Sequence, residues 1–143
     1  MSKLSFATTL LVRDTCLCLH AQRAARALAR RFDTALRPLG LTSGQFSLLM
    51  SLNRPEPPPM GAVAALLAMD RTTLTAALKP LQRRGLVQVA ADQADRRSRR
   101  LALTAAGVTL LTAAVPVWQA THDAVEHELG DADALRAGLR RLA

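Results

Sequence analysis

Hydrophobic residues along this chain recur with a helical period, in stretches separated by breaks rich in proline and glycine. Between Arg13 and Leu36 they fall at Leu17, Ala21, Ala24, Leu28, Phe32 and Leu36, while His20, Arg23, Arg26, Arg30 and Arg31 hold the opposite face. That spacing predicts one amphipathic helix, stopped by "RPLG" at 37–40. Thr42 then opens a second helix with "TSGQ", a capping box in which Gln45 can bond back to the cap. Leu41 and Phe46 stand where a hydrophobic staple would close that turn. The helix runs through "FSLLMSL" into "RPEPPP" at 54–59, whose prolines cannot continue it.

A short apolar helix, "GAVAALLA" at 61–68, is followed by the turn "MDR" and by "TTLTAALKPLQRRG". Asp70 is placed to cap this fourth helix. Leu74, Leu78 and Leu81 form its core edge, and Thr72, Thr75, Lys79 and Arg83 share the other face, with Arg71 and Thr73 at its start. Two short helices around a tight turn, the second polar and basic outward, form the pattern of a helix-turn-helix. Pro80 removes the bond to the Ala76 carbonyl, so a bend is expected there. After Gly85, residues 86–90 ("LVQVA") and 100–103 ("RLAL") alternate as two strands. The loop between them holds "DQADRRSRR", so Arg96, Arg97, Arg99 and Arg100 sit at or beside the tip of a hairpin, in the position of a wing.

Thr104 can cap a last long helix, in which Val108, Leu111, Val115, Trp118, His122, Val125 and Leu129 alternate in steps of three and four. This is a heptad seam, and a seam of that length calls for a partner helix. Pro116 should kink it. Gly130 ends it, and "DADALRAGLRRLA" closes the chain as a short helix.

Composition narrows the class. Half of the 143 residues are hydrophobic, which excludes a disordered chain, and the length suits one domain or two lobes sharing a core. Lys plus Arg number 19 against 11 Asp plus Glu, a net charge of +8. All of the bases except Lys3 and Lys79 are arginine, whose planar fork suits phosphates and base edges. An acidic polymer is therefore the favoured partner. The apolar stretch 3–12 lacks a cleavage site and is too short to span a bilayer, and no run of 18 apolar residues occurs. A cytoplasmic protein with reduced thiols and no membrane partner is expected.

Taken together, "GLTSGQFSLLMSL", "MDRTTLTAALKPLQRRGLV" and "ADRRSRRLALTAAG" resemble the multiple-antibiotic-resistance-regulator (MarR) family, over roughly residues 13–129. The most specific element is Asp95, Arg96 and Arg97 followed by Leu103, Thr104 and Gly107. The resemblance implies a mainly α winged helix-turn-helix fold with a β-hairpin wing. It also implies a homodimer on a pseudo-palindromic double-stranded operator, most often as a repressor. The recognition helix would enter the major groove through Arg71, Thr72, Thr73, Thr75, Lys79 and Arg83. Arg97 would enter the minor groove, held by Asp95, with Arg96 and Arg99 beside it. Residues 1–40 and 105–143 would supply dimerisation helices around a DNA-binding lobe at 41–104, with Val108, Leu111, Val115, Trp118, Val125 and Leu129 as the interface. Small ligands or thiol oxidation would shift the spacing of the two lobes. Pro80 and the "PEPPP" loop depart from the family pattern.

Two further clusters bear on chemistry. In "HDAVEH", at 122–127, the histidines are five apart and do not share a helical face, unlike helical zinc motifs. Asp123 with His127 and His122 with Glu126 read as ordinary i, i+4 pairs. In "TCLCLH", Cys16, Cys18 and His20 are soft or borderline metal ligands. On one continuous helix the two thiols would point about 200° apart, which prevents chelation of a single ion. Cys18 shares a side with Ala21 and Ala25, and Cys16 lines up with His20 and Arg23 nearer polar surface. They are either small packing residues or a sensor of an oxidant or metalloid, with peroxide acting first on Cys16; no metal site or cofactor is assigned. A cysteine-dependent redox or metalloid enzyme would need a base and orienter that the sequence does not show beside Cys16. A non-specific nucleic-acid coat would need stacking aromatics, and the chain has three Phe, one Trp and no Tyr.

Overall fold

The computed structural model describes residues 3–143 and is mainly helical, with one two-stranded antiparallel hairpin. Helices α1 (Phe6–Thr15) and α2 (Leu17–Leu36) open the chain, a 3-10 turn at Arg37–Leu39 follows, then α3 (Ser43–Ser51), α4 (Met60–Leu66) and α5 (Arg71–Arg83). Strands β1 (Val87–Ala91) and β2 (Arg99–Leu103) precede α6 (Ala105–Leu129) and α7 (Ala132–Arg140).

The single helix expected from Arg13 is two helices. Cys16 turns to extended backbone, at φ −67° and ψ 110°, and becomes the N-cap of α2, its Sγ accepting the Leu19 N–H at 3.4 Å. The Cys16 N–H still donates to the Val12 carbonyl at 2.9 Å, so α1 closes as α2 begins. The apolar stretch at 3–12, to which the sequence pattern assigns no element, supplies most of α1.

Other boundaries follow their caps. Thr42 and Gln45 form both halves of the capping box. Asp70 Oδ1 accepts the Thr73 N–H at 2.7 Å, and Thr104 Oγ1 accepts the Gly107 N–H at 3.0 Å. Pro80 and Pro116 both lie inside helices that continue past them. The axes of α4 and α5 turn by 103°, within the range of helix-turn-helix pairs.

One core joins the parts. Leu36, Phe46, Leu49, Val63, Leu74, Leu78, Leu81, Leu101 and Leu111 pack in a single cluster spanning α2 to α6. In the hairpin Val87 pairs with Leu103 and Val89 with Leu101, which turns these four toward the core. At the start of α6, Gly107 is required by contact: a Cβ there would collide with the Leu86 carbonyl oxygen.

The heptad seam is not one continuous free surface. Leu111 is only 4 % exposed within the protomer's own core, and Trp118 packs against that core. Leu111 therefore has no surface to give a second chain, in contrast to the sequence expectation. Further along, α2 lies against α6, where Arg31 makes two 2.6 Å hydrogen bonds to the Glu128 carboxylate. Val108, Val115 and Leu129 remain exposed. Among the described residues no single helix is long and apolar enough to cross a membrane.

Candidate nucleic-acid interface

The recognition face is set by burial on the other side of α5. Leu74, Leu78 and Leu81 are in the core, which leaves Arg71, Thr72, Thr73, Thr75, Lys79 and Arg83 all exposed on the same helix. The Thr73 backbone N–H bond holds the Asp70 carboxyl below the ordinary aspartate range, so the cap stays ionised. Gly61 leaves room for the Arg71 guanidinium, since a Cβ there would stand 3.3 Å from Nη2. Thr75 Oγ1 lies 4.0 Å from Met60 Sδ, a weak contact that leaves its hydroxyl free for another partner.

The wing loop at 92–98 is folded by two aspartates. Asp92 Oδ1 accepts the Ala94 N–H, and Asp95 Oδ1 accepts the Arg97 N–H, both at 3.0 Å. The Ser98 N–H donates to the Asp95 carbonyl at 3.0 Å. Asp95 thus holds Arg97 through its backbone amide. The tight turn brings the i+2 amide to the carboxylate first, as aspartates in turns commonly do. Arg96, Arg97 and Arg99 are exposed and have no ion-pair partner among the described residues. Arg100, grouped with them from sequence, is engaged inward: Nε lies 3.1 Å from Asp92 Oδ2 and Nη1 donates to the Pro57 carbonyl at 2.7 Å. The Ala94 N–H, and with it the Arg100 charge, keeps the Asp92 carboxyl below its usual range.

The sequence model of the MarR family matches residues 39–98, which run from the end of the 3-10 turn into the wing. The DNA-bound crystal structure of the Mycobacterium tuberculosis transcriptional regulator MosR is 40 % identical, with a TM-score of 0.83, covering 90 % of this chain and 93 % of that one. The chain belongs to the MarR family. The transcriptional activatory protein BadR of Rhodopseudomonas palustris is 33 % identical over 88 residues, 59 % of this chain and 50 % of that protein. The chain thus matches about half the length of that relative. BpsR of Bordetella bronchiseptica, whose DNA binding is regulated by 6-hydroxynicotinic acid, is 26 % identical with a TM-score of 0.78, covering 88 % of this chain and 91 % of that one.

This MarR-family chain has a second feature that sequence reasoning missed. A cleft of about 450 Å³ opens between α2, α3 and α6, lined by Ala25, Leu28, Phe32, Phe46, Trp118 and His122 among others. Trp118 stacks on Phe46 at 6.1 Å and on His122 at 4.8 Å between ring centroids. The i, i+4 relation of Trp118 and His122 was visible in the seam, but not that both face α3. The His122–Glu126 pair read from sequence is present at 3.4 Å, and Glu126 also accepts from Arg136 of α7 at 2.8 Å. His127 and Asp123 are not paired: Asp123 accepts from Gln119 at 2.8 Å instead.

The thiols are arranged differently from the single-helix reading. Cys16 is partly buried in the break, and Cys18, on the first turn of α2, is the exposed one. On that turn Leu17 is 73 % exposed. His20 Nδ1 lies 2.7 Å from the Cys16 carbonyl oxygen, so the imidazole is tied to the break's backbone.

Proposed function

We propose that this protein is a sequence-specific DNA-binding transcriptional regulator that acts as a homodimer on a pseudo-palindromic operator. One observation carries the reading: a capped, core-anchored helix presents Arg71, Thr72, Thr73, Thr75, Lys79 and Arg83 outward, next in sequence to a hairpin carrying the exposed Arg96, Arg97 and Arg99. In this reading Thr72 and Thr75 meet base edges or thymine methyls and Lys79 meets phosphate. Arg97 reads the minor groove, with Asp95 fixing the turn that presents it. The DNA complex of the similar MosR supports the same mode of binding. Exposed apolar residues on the terminal helices supply the dimer surface. Whether binding represses or activates depends on where the operator lies relative to the promoter; overlap with it gives repression. The test is selection of bound duplexes from a random pool, which should return one two-fold symmetric site.

Release by a small ligand is the regulatory part of this proposal. The aromatic cleft beside Trp118 and His122 suits a planar organic acid, and the regulation of BpsR by 6-hydroxynicotinic acid supports that class. A second reading rests on Cys16 capping α2 at a helix break beside the exposed Cys18. Oxidation or metalloid binding there would remove the thiol acceptor of the Leu19 N–H and loosen the start of α2. Operator release by peroxide, arsenite or antimonite should then occur in the wild type and be lost in Cys16→Ser or Cys18→Ser. Identical release from all three proteins, or none from any, would assign the cysteines to packing and leave the cleft as the effector site.

A further inference from the structure

We propose that Arg100 and Asp92 are positioning residues that lock the wing to the Pro57–Pro59 segment and so set where Arg97 meets DNA, a role that rests on the DNA-binding reading above. The Arg100 side chain holds two partners at once, Asp92 Oδ2 in the loop and the Pro57 carbonyl beyond the strand, at 3.1 and 2.7 Å. The backbone follows the same path: the Leu101 N–H donates to the Pro58 carbonyl at 2.9 Å, and Pro59 bridges antiparallel to Arg100. Asp92 ties this clamp to the tip, because its N–H donates to the Ser98 carbonyl and its Oδ1 accepts the Ala94 N–H, both at 3.0 Å.

The chemistry of each partner fits the task. Prolines have no N–H, so this segment can offer the hairpin only acceptors, and Arg100 and Leu101 supply the donors. Fixed φ angles make the segment a stiff anchor. A two-stranded hairpin is marginally stable in water by itself, so a third strip of chain on β2 limits how far the tip can swing. A planar guanidinium can serve two acceptors in a set geometry, which a lysine ammonium does less well. The "PEPPP" segment is thus the wing's outer support, and Arg100 is withheld from phosphate.

Operator affinity of Arg100→Met, Arg97→Ala and the double variant, each measured across a salt series, tests this. Arg100→Met should bind about ten-fold more weakly, with the slope of affinity against salt unchanged, because no phosphate contact is lost. Hydroxyl-radical protection should fade at the flanking minor grooves and persist at the two central major grooves. The double variant should bind no more weakly than Arg97→Ala alone, since the clamp acts through the tip. Arg100→Lys should fall between wild type and Arg100→Met, and it carries the same comparison should Arg100→Met unfold. Wild-type affinity in Arg100→Met, losses that multiply in the double variant, or a salt slope reduced by about one unit would each overturn the clamp. The DNA-binding reading would survive those results, provided Arg97→Ala is weakened. An unaffected Arg97→Ala would remove both.

Discussion

Replacing Val115 and Val125 together with aspartate is expected to leave the protein monomeric and to weaken operator binding by two or more orders of magnitude. Helix α1 buries none of its residues, and α7 buries only Ala132, although both carry large apolar side chains. Phe6, Leu11 and Leu17 at one end and Leu135, Leu139 and Leu142 at the other are exposed, as are Val108, Val115 and Leu129 of α6. A helix as short as α1 is marginal in water without a surface to pack on, and contiguous apolar patches mark interaction sites. The proposed second copy of the chain would meet both needs. Charges placed in that contact would be desolvated without partners, which is strongly unfavourable. Each monomer would then hold a single half-site, losing the roughly 10²–10⁴ gained when two linked modules bind together. Sedimentation and operator titration check this, with helix content confirming that the variant folds. A dimer that persists would move the interface elsewhere, and a monomer of undiminished affinity would contradict the two-fold operator.

The second large effect is expected at the wing. Arg97→Ala should weaken binding by about 1–3 kcal/mol and relax selectivity at the flanking positions only, as for an arginine inserted in a groove. Because Asp95 accepts the Arg97 backbone N–H, Asp95→Asn keeps an acceptor and should bind nearly as well as wild type, whereas Asp95→Ala should lose part of the Arg97 effect. Equal losses in Asp95→Asn and Asp95→Ala would instead indicate a charge contact with the guanidinium on DNA. Titrations at several salt concentrations separate these outcomes. Substituting Thr72 or Thr75 should change which bases are preferred more than how tightly DNA is held.

Much of this was legible in the sequence because it is local. Caps at Thr42, Asp70 and Thr104 depend on side chains within three residues of the amide they satisfy. The alternation of β1 and β2 and the core edge of α5 depend on periods of two and 3.6. The break at Cys16 is not legible in the sequence because no proline or glycine marks it, and a thiol acting as N-cap has no strong sequence signal. The seam at Leu111 states that a surface is apolar, not which neighbour covers it; within the protomer it is buried in a core cluster drawn from α2 to α6. The grip of Arg100 on Pro57 joins residues 43 positions apart and has no local period at all. The same holds for the stacking of Phe46 on Trp118, which builds the cleft. In the interface itself, residue types on α5 and the wing were readable, while the choice among four clustered arginines of which is free and which is clamped required tertiary structure.

The α5 face and the wing together are proposed to read a discrete duplex site. Hydroxyl-radical footprinting on the duplex recovered from random-pool selection tests it most directly. Two protected major-groove half-sites about one helical turn apart are expected, each flanked outward by a protected minor groove whose protection disappears in Arg97→Ala. Uniform protection along any duplex, equal for unrelated sequences and removed by salt alone, would contradict it.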